Sequence, residues 1–357
     1  GGVVAKSFQI ISRHHACPVW KSPLRLAYGF VPTPPPFCLP SFSGRTSLSP
    51  IMSTPARLNR RRMLSASLTA PAALAFTRLP ALAAEPRTRK VAITIDDGPA
   101  TGAGDDLAAF LRIAKGLREC FVAEGVPAIM FVNERQFHVA GQRDARIAVL
   151  EEWLDAGLDL GNHTYSHPRL ENLELWQYTD DILKGEVITR PLLRSRDKSL
   201  VWFRYPFLAT GRGEPARAIE EFLAVRGYRI APVSVDYADY RYAGPYARHL
   251  RAGDAQQAAE YFEIVMQALD TGFTRAEQRS VEVLGYELPQ TLLIHCNEMN
   301  SVTLRTTIQR IRERGYTFVT LDEAMTDPAY NLPNLRPGEL GGGGLFNSLA
   351  AARRATD

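Results

Sequence analysis

Cysteine is scarce in this chain: there are four in 357 residues, and two of them, Cys17 and Cys38, fall close to the N-terminus. Beyond residue 84 only Cys120 and Cys296 remain. Nothing in their spacing suggests a disulfide framework, so two buried thiols are expected. Acidic residues are missing altogether from residues 1–84, which carry ten Lys and Arg. Residues 85–357 therefore hold 32 basic and 38 acidic residues, a net of −6 hidden beneath the whole-chain +4. A part with that balance has no basic excess for a phosphate backbone, and nucleic acid is set aside as a partner. An apolar run of the ~20 residues needed for a membrane span is also lacking, since Arg78 interrupts the one candidate.

That candidate has another reading. From Met52 the chain runs "MSTPARLNRRRMLSASLTAPAALAFTRLPALAAEP". The basic cluster Arg60 to Arg62 comes first, then an alanine-rich apolar stretch, then Ala81-Leu82-Ala83 as a small-x-small cleavage pattern. These parts in this order make residues 52–84 a secretory signal peptide and the protein an exported one, periplasmic or extracellular. "NRRRML" resembles a twin-arginine signal, which is a receptor-read address and not an anchor. Residues 1–51, rich in Pro and Ser, read as a disordered leader or as upstream sequence wrongly joined to the chain.

What is present from Lys90 onward is an alternation of strand-like and helix-like segments. "KVAITID", "PAIMFVN", "LDLGNH", "LVWFRYPF", "YRIAPVSVD", "TLLIHCN" and "TFVTLDEAM" are the strands, with helical spacing between them. Asp105 is the N-cap candidate of the first helix, which stops at Gly125. Such alternation predicts a parallel sheet covered by helices. Seven strands over about 250 residues fit a distorted (β/α) barrel of seven or eight strands in one catalytic domain, residues 85–335. A doubly wound open sheet is the alternative. Residues 244–280 break the rhythm with polar and helical sequence, including "DAQQAAEYFEIVMQALD", and read as an insertion on one loop. The tail, 336–357, with Gly341 to Gly344, reads as flexible.

In either architecture chemistry collects at the C-terminal ends of strands. Those ends carry Asp96-Asp97, His163 and His167, Arg204, Asp236 and Asp239, and His295. Each alone has an ordinary explanation: a turn, a cap, a surface ion pair, a core histidine. Five of them on one rim are hard to assign to chance. His163 and His167 stand four apart, which on one helical turn would aim both rings to one side, and Pro168 would end that turn at His167. Two imidazoles and a carboxylate leave an open position on zinc or a similar ion, the composition of a hydrolytic site. Asp96 and Asp97 are strand neighbours whose side chains should diverge, one to the metal and one to the water as general base.

Taken together these residues resemble the polysaccharide deacetylases of carbohydrate esterase family 4. Five ordered motifs of that family have counterparts here: "TIDDGP" at Thr94 to Pro99, "HTYSHP" at His163 to Pro168, "RYPF" at Arg204 to Phe207, "DYADY" at Asp236 to Tyr240 and "LLIH" at Leu292 to His295. The resemblance implies a metal-dependent hydrolase that removes acetyl groups from an acetylated glycan such as peptidoglycan, chitin or xylan. Asp97, His163 and His167 would hold one divalent ion, usually zinc, with cobalt, nickel or manganese as alternatives. Asp96 would be the base, Arg204 its partner, His295 the acid and Asp239 the group orienting it. The backbone amide near Phe207 would face the oxyanion, and Leu293 and Tyr240 would line the acetyl pocket. Two positions depart from the motifs. Ile95 replaces an aromatic residue and is expected to face the barrel interior; Tyr240 replaces a tryptophan, which bears on pocket shape. Two rival functions share the fold: an amidase for a small amide or cyclic imide, favoured by a narrow pocket closed by 244–280, and a catalytically silent carbohydrate-binding protein.

Overall fold

The computed structural model describes residues 88–332, 335 and 341–355, all within a unit covering residues 78–357. The expected leader (1–51) and signal peptide (52–84) lie outside the described residues. Eight parallel strands form one sheet: β1 (Arg89–Gly98), β2 (Ala128–Val132), β3 (Asp159–Asn162), β4 (Trp202–Phe203), β5 (Arg229–Ile230), β6 (Val235–Asp236), β7 (Gln290–His295) and β8 (Tyr316–Phe318). Their order is β5-β4-β3-β2-β1-β7-β6, and β8 pairs with the first residues of β1. The fold is the expected α/β one, a parallel sheet curled into a distorted barrel.

The expected fifth strand "YRIAPVSVD" is where the curl comes round. Its first half pairs with β4, and the Ala231 N–H donates to the Phe203 carbonyl at 2.9 Å. Its second half pairs with β7, and the Ser234 N–H donates to the Thr291 carbonyl at 3.1 Å. Pro232 sits at the change of partner, where a residue without an N–H interrupts the ladder. One predicted strand therefore becomes β5 and β6.

Helices cover the outside: α1 (Leu107–Glu124), α2 (Arg143–Asp155), α3 (Leu175–Lys184), α4 (Thr189–Arg194), α5 (Gly213–Val225), α6 (Tyr240–Arg251), α7 (Ala255–Leu284), α8 (Glu298–Glu313), α9 (Leu321–Ala324) and α10 (Gly341–Arg354). The α1 cap is Asp106, not Asp105: its carboxylate accepts from the Ala109 N–H at 3.0 Å. Alternation along β1 sorts two cores. Val91, Ile93 and Ile95 pack outward in the large cluster shared with the helices. Ala92 joins Ile129, Phe131, Trp202 and Ala231 in a smaller inner cluster. Ile95 thus faces the helices and not the barrel interior.

The two remaining segments fare differently. The inserted helical sequence of 244–280 forms most of α6 and α7 in the connection from β6 to β7. Gly272 of α7 lies against Val235 and Tyr237, so α7 is a packed cover of the sheet. The C-terminal segment is not all flexible: 341–354 is α10, with Leu345, Phe346 and Leu349 buried in the main core. An apolar pair plus a residue one turn on makes the stripe that outweighs the glycines before it. Among the described residues no helix is long and apolar enough to cross a membrane. Cys120 is half-buried, Cys296 is buried, and both are free thiols.

Candidate active site

The register of β1 breaks at the first motif. Ile95 pairs with Met130, but the next pair is Gly98 with Val132, so β1 holds one extra residue there. This is a β-bulge, and Asp97 within it has φ +60°. The side chains of Asp96 and Asp97 consequently do not diverge. Both approach one imidazole: His163 Nε2 is 3.7 Å from Asp96 Oδ2 and 3.6 Å from Asp97 Oδ1.

The histidine pair is not on a helical turn either. β3 ends at Asn162, and 163–169 is an irregular loop with Thr164 at φ +67° and His167 at φ +62°. Its conformation is held by side chains that sequence reading passed over. Asn162 accepts from the Thr164 N–H at 2.7 Å. Asn133 donates to the His163 carbonyl at 2.6 Å, and Asp181 accepts from Ser166 N and Oγ at 2.9 and 2.7 Å. Gln136 donates to the carbonyls of Asp97 and Gly98 at 3.0 and 2.9 Å. The loop turns back so that His167 Nε2 comes 3.2 Å from Asp97 Oδ1.

Ligating atoms of Asp97, His163 and His167 all lie within 4.8 Å of one another. Asp97 Oδ1 is buried and has no hydrogen-bond donor, a costly state for a carboxylate oxygen unless a cation faces it. His163 Nδ1 lies 2.8 Å from the Arg204 carbonyl, an acceptor only, so Nδ1 carries the proton and Nε2 presents a lone pair. Burial lowers the pKa of His163 well below the ordinary value, and His167 beside it acts in the same direction. Burial also lowers His167, against the opposing pull of Asp97. Two neutral imidazoles and a carboxylate with a free oxygen fit a divalent ion.

Asp96 and His295 are neighbours across the β1–β7 ladder and so share the inner face. Burial raises the pKa of Asp96 to about 6, although the Arg204 guanidinium pulls it down. Arg204 is itself 1% exposed; its Nη1 is 3.4 Å from both carboxylate oxygens, Nη2 is 3.0 Å from Thr94 Oγ1, and the guanidinium lies over Phe131. His295 has the opposite balance. Burial disfavours its charge, but the Asp239 carboxylate more than compensates and its pKa is raised to about 10. His295 Nδ1 is 2.6 Å from Asp239 Oδ1, and the His295 N–H donates to Oδ2. Asp239 is fully buried, and the Asn297 and Asn300 amides complete its shell at 3.0 and 2.6 Å. Neither asparagine was singled out from sequence. The one available signal, Asn297 directly ahead of a helix, reads only as a cap, which it also is.

The remaining candidates fall around these groups. Phe207 has φ +57°, is half-exposed, and lies over His167 with ring centroids 4.4 Å apart. Tyr240 is half-exposed and meets the His295 ring edge-on at 5.5 Å. Leu293 is buried two residues down the same face from His295, beside Thr94 and Asp236 in register. A pocket of about 530 Å³ opens beside this group, with Asp97, Asn133, Gln136, Tyr165 and His167 in its wall. No residue of 244–280 lines it.

A family model described as polysaccharide deacetylase matches residues 83–222. A chitin deacetylase of Arthroderma benhamiae is 23% identical over 246 residues, covering 68% of this chain and 53% of that protein. The chain thus spans about half the length of the curated relative it matches. Among solved structures, a CE4 family pseudoenzyme from Bacillus anthracis matches with TM-score 0.47 and 17% identity, covering 68% of this chain and 66% of that one. Peptidoglycan deacetylase PdaC from Bacillus subtilis matches with TM-score 0.43 and 18% identity, covering 69% and 96%. The family model runs through the first three of the motifs at the rim of this parallel, barrel-like sheet, so residues 83–222 are similar to polysaccharide deacetylases.

Proposed function

We propose that the protein is a metal-dependent hydrolase that releases acetate from an acetylated polysaccharide or oligosaccharide. The observation that carries this reading is the buried, donor-free Oδ1 of Asp97 facing the Nε2 atoms of His163 and His167. These three residues would hold the ion, for which zinc suits the nitrogen and oxygen donors. When bound, the ion supplies Lewis acidity and lowers the pKa of water.

The protein's own groups then divide the proton work. Asp96, kept in place by Arg204, takes the proton of the attacking water. His295, kept charged by Asp239, gives a proton to the departing nitrogen or oxygen of the sugar, so that water and the acetyl group leave as acetate and a free amine or hydroxyl. The different environments of Asp96 and His295 push their pKa values apart, which is how one site comes to hold a base and an acid together. The backbone at Phe207 supplies an N–H toward the developing oxyanion, and Tyr240 and Leu293 bound the acetyl group. Export through the 52–84 segment would place the protein where such polymers lie.

Acetate release from acetylated chitin, peptidoglycan and xylan fragments, with and without chelator, tests the proposal. Release abolished by chelator and restored by zinc supports it; no release from any of them with zinc present rejects it.

A further inference from the structure

We propose that Asn297 and Asn300 are positioning residues of the proton-donating pair: their amides hold one oxygen of Asp239, so that the other is left for the His295 ring alone. The proposal rests on the deacetylase reading above, in which His295 is the acid, and adds what keeps that acid aimed and charged.

Asp239 is the N-cap residue of α6, yet its side chain caps nothing. A carboxylate at that position ordinarily accepts from the first free N–H groups of its own helix. Here it is turned away and fully buried, and its hydrogen bonds come from β7 and α8. They are unevenly divided. Oδ1 meets only His295 Nδ1, at 2.6 Å. Oδ2 accepts from the His295 N–H at 3.0 Å, from Asn297 Nδ2 at 3.0 Å and from Asn300 Nδ2 at 2.6 Å. Each amide can point only one way. Asn297 Oδ1 accepts from the Asn300 N–H at 2.9 Å, which leaves its Nδ2 for Asp239. Asn300 Nδ2 also donates to the His295 carbonyl at 2.9 Å, so both of its neighbours are acceptors.

These residue types are not what α8 needs for itself. Ser or Asp would cap the helix as well as Asn297, and Ala would suit its interior better than Asn300. None of the three carries an amide donor. Asn297 and Asn300 are 4% and 2% exposed, so solvent does not replace them. Burial acts to raise the Asp239 pKa, but the His295 imidazolium and its hydrogen bonds, with Asn300 assisting, bring it below the ordinary value. Without the amides the buried charge loses two of its donors, and the neutral form becomes the cheaper one. The Nδ1 proton then crosses to Oδ1. That transfer leaves a carboxylic acid and a neutral imidazole bearing only its Nε2 proton, a far weaker acid than the imidazolium.

The test uses Asn297→Ser, which keeps a cap, and Asn300→Ala, which favours the helix, both in the zinc-loaded protein. Acetate release is followed from the chitin, peptidoglycan or xylan fragment that the wild type hydrolyses, whose amine or hydroxyl must gain a proton as it leaves. It is followed also from para-nitrophenyl acetate, whose phenolate leaves without one. The expected result for each variant is a fall of roughly ten- to hundredfold in kcat on the glycan, with KM and the aryl ester rate little changed. Combined with Asp239→Asn, either substitution should add almost nothing, because all three act on one carboxylate. Nitrogen NMR of the labelled ring gives a reading that does not depend on turnover. At neutral pH the wild-type His295 should be an imidazolium, and that of the double variant a neutral ring. Equal losses on glycan and aryl ester, an additive loss beside Asp239→Asn, or an imidazolium that persists in the double variant overturns the proposal. A wild type that releases acetate from none of the glycans rejects the deacetylase reading instead, and the ring spectrum still decides what the asparagines do.

Discussion

Asp96 and Asp97 are adjacent in sequence and have unlike surroundings. Asp97 has an oxygen that no donor meets, whereas Asp96 is buried against a guanidinium. Asp96→Asn keeps the shape and removes the proposed base, so turnover should fall about 10²–10⁴-fold with the metal still bound, as read by steady-state kinetics and metal analysis. His163→Ala removes a proposed ligand and should weaken binding of added zinc by roughly a hundredfold or more in calorimetry. Asp239→Asn tests the acid. The Asp239 carboxylate outweighs burial in holding the His295 pKa at about 10, so the imidazolium persists across neutral pH and is lost as pH rises through that value. Without the carboxylate only Asp97 and Asp96 remain to oppose burial, and the alkaline limb of the kcat/KM profile should move to lower pH. An alkaline limb unchanged in Asp239→Asn would remove His295 from the role of acid. Which residues gather at the rim was legible in the sequence; how they are aimed was not. Asp97, Thr164, His167 and Phe207 all lie at positive φ with no glycine to announce it. Each such residue costs about 1–3 kcal/mol and is held by surrounding contacts that no local pattern encodes.

At the scale of elements, the ligand loop is clamped by the turn after α3. Gly185 approaches so closely that a Cβ there would stand 2.6 Å from the Thr164 carbonyl carbon and 2.9 Å from Asn162 Oδ1. Behind it, Glu186 is bracketed by Arg190 and Arg226 and accepts from Tyr228 Oη at 2.6 Å, and Tyr228 Oη in turn accepts from Asn162 at 2.9 Å. The turn cannot back away without breaking this network. Gly185→Ala should therefore disturb Thr164 and lower both the melting temperature and zinc affinity. Gly116→Ala is the comparison: its Cβ would lie 2.6 Å from the Ser301 carbonyl oxygen, at the contact of α1 with α8. That change should lower the melting temperature while leaving zinc affinity of the folded protein unchanged. Equal loss of zinc affinity in both would mean that the ligand loop responds to general destabilisation and not to its clamp. Strand positions were readable because buried parallel strands are short apolar runs. The division of "YRIAPVSVD" was not, because a change of ladder partner depends on which strands flank it.

At the scale of the whole molecule, sequence reading recovered the parallel architecture because the β/α rhythm repeats along the chain. It misjudged the C-terminal segment, α10, whose apolar residues find distant partners. Helices joined to the core only through tertiary contact carry weak local signals, and glycines at the start of one further mask it. The C-terminal helix supplies a direct measure of what such contact contributes. Phe346 is 1% exposed and belongs to the same core cluster as Val265, Leu269 and Phe273 of α7, more than seventy residues earlier in the chain. Phe346→Ala removes a large buried ring and leaves a cavity, which typically costs 3–5 kcal/mol. Urea unfolding of the zinc-free protein should show that loss as a lower midpoint with an unchanged slope. The cavity lies in the cover of the barrel and not at its rim, so zinc affinity of the folded fraction should be preserved. A loss below about 1 kcal/mol would mean that α10 is not docked in solution, and that the stable domain ends before it.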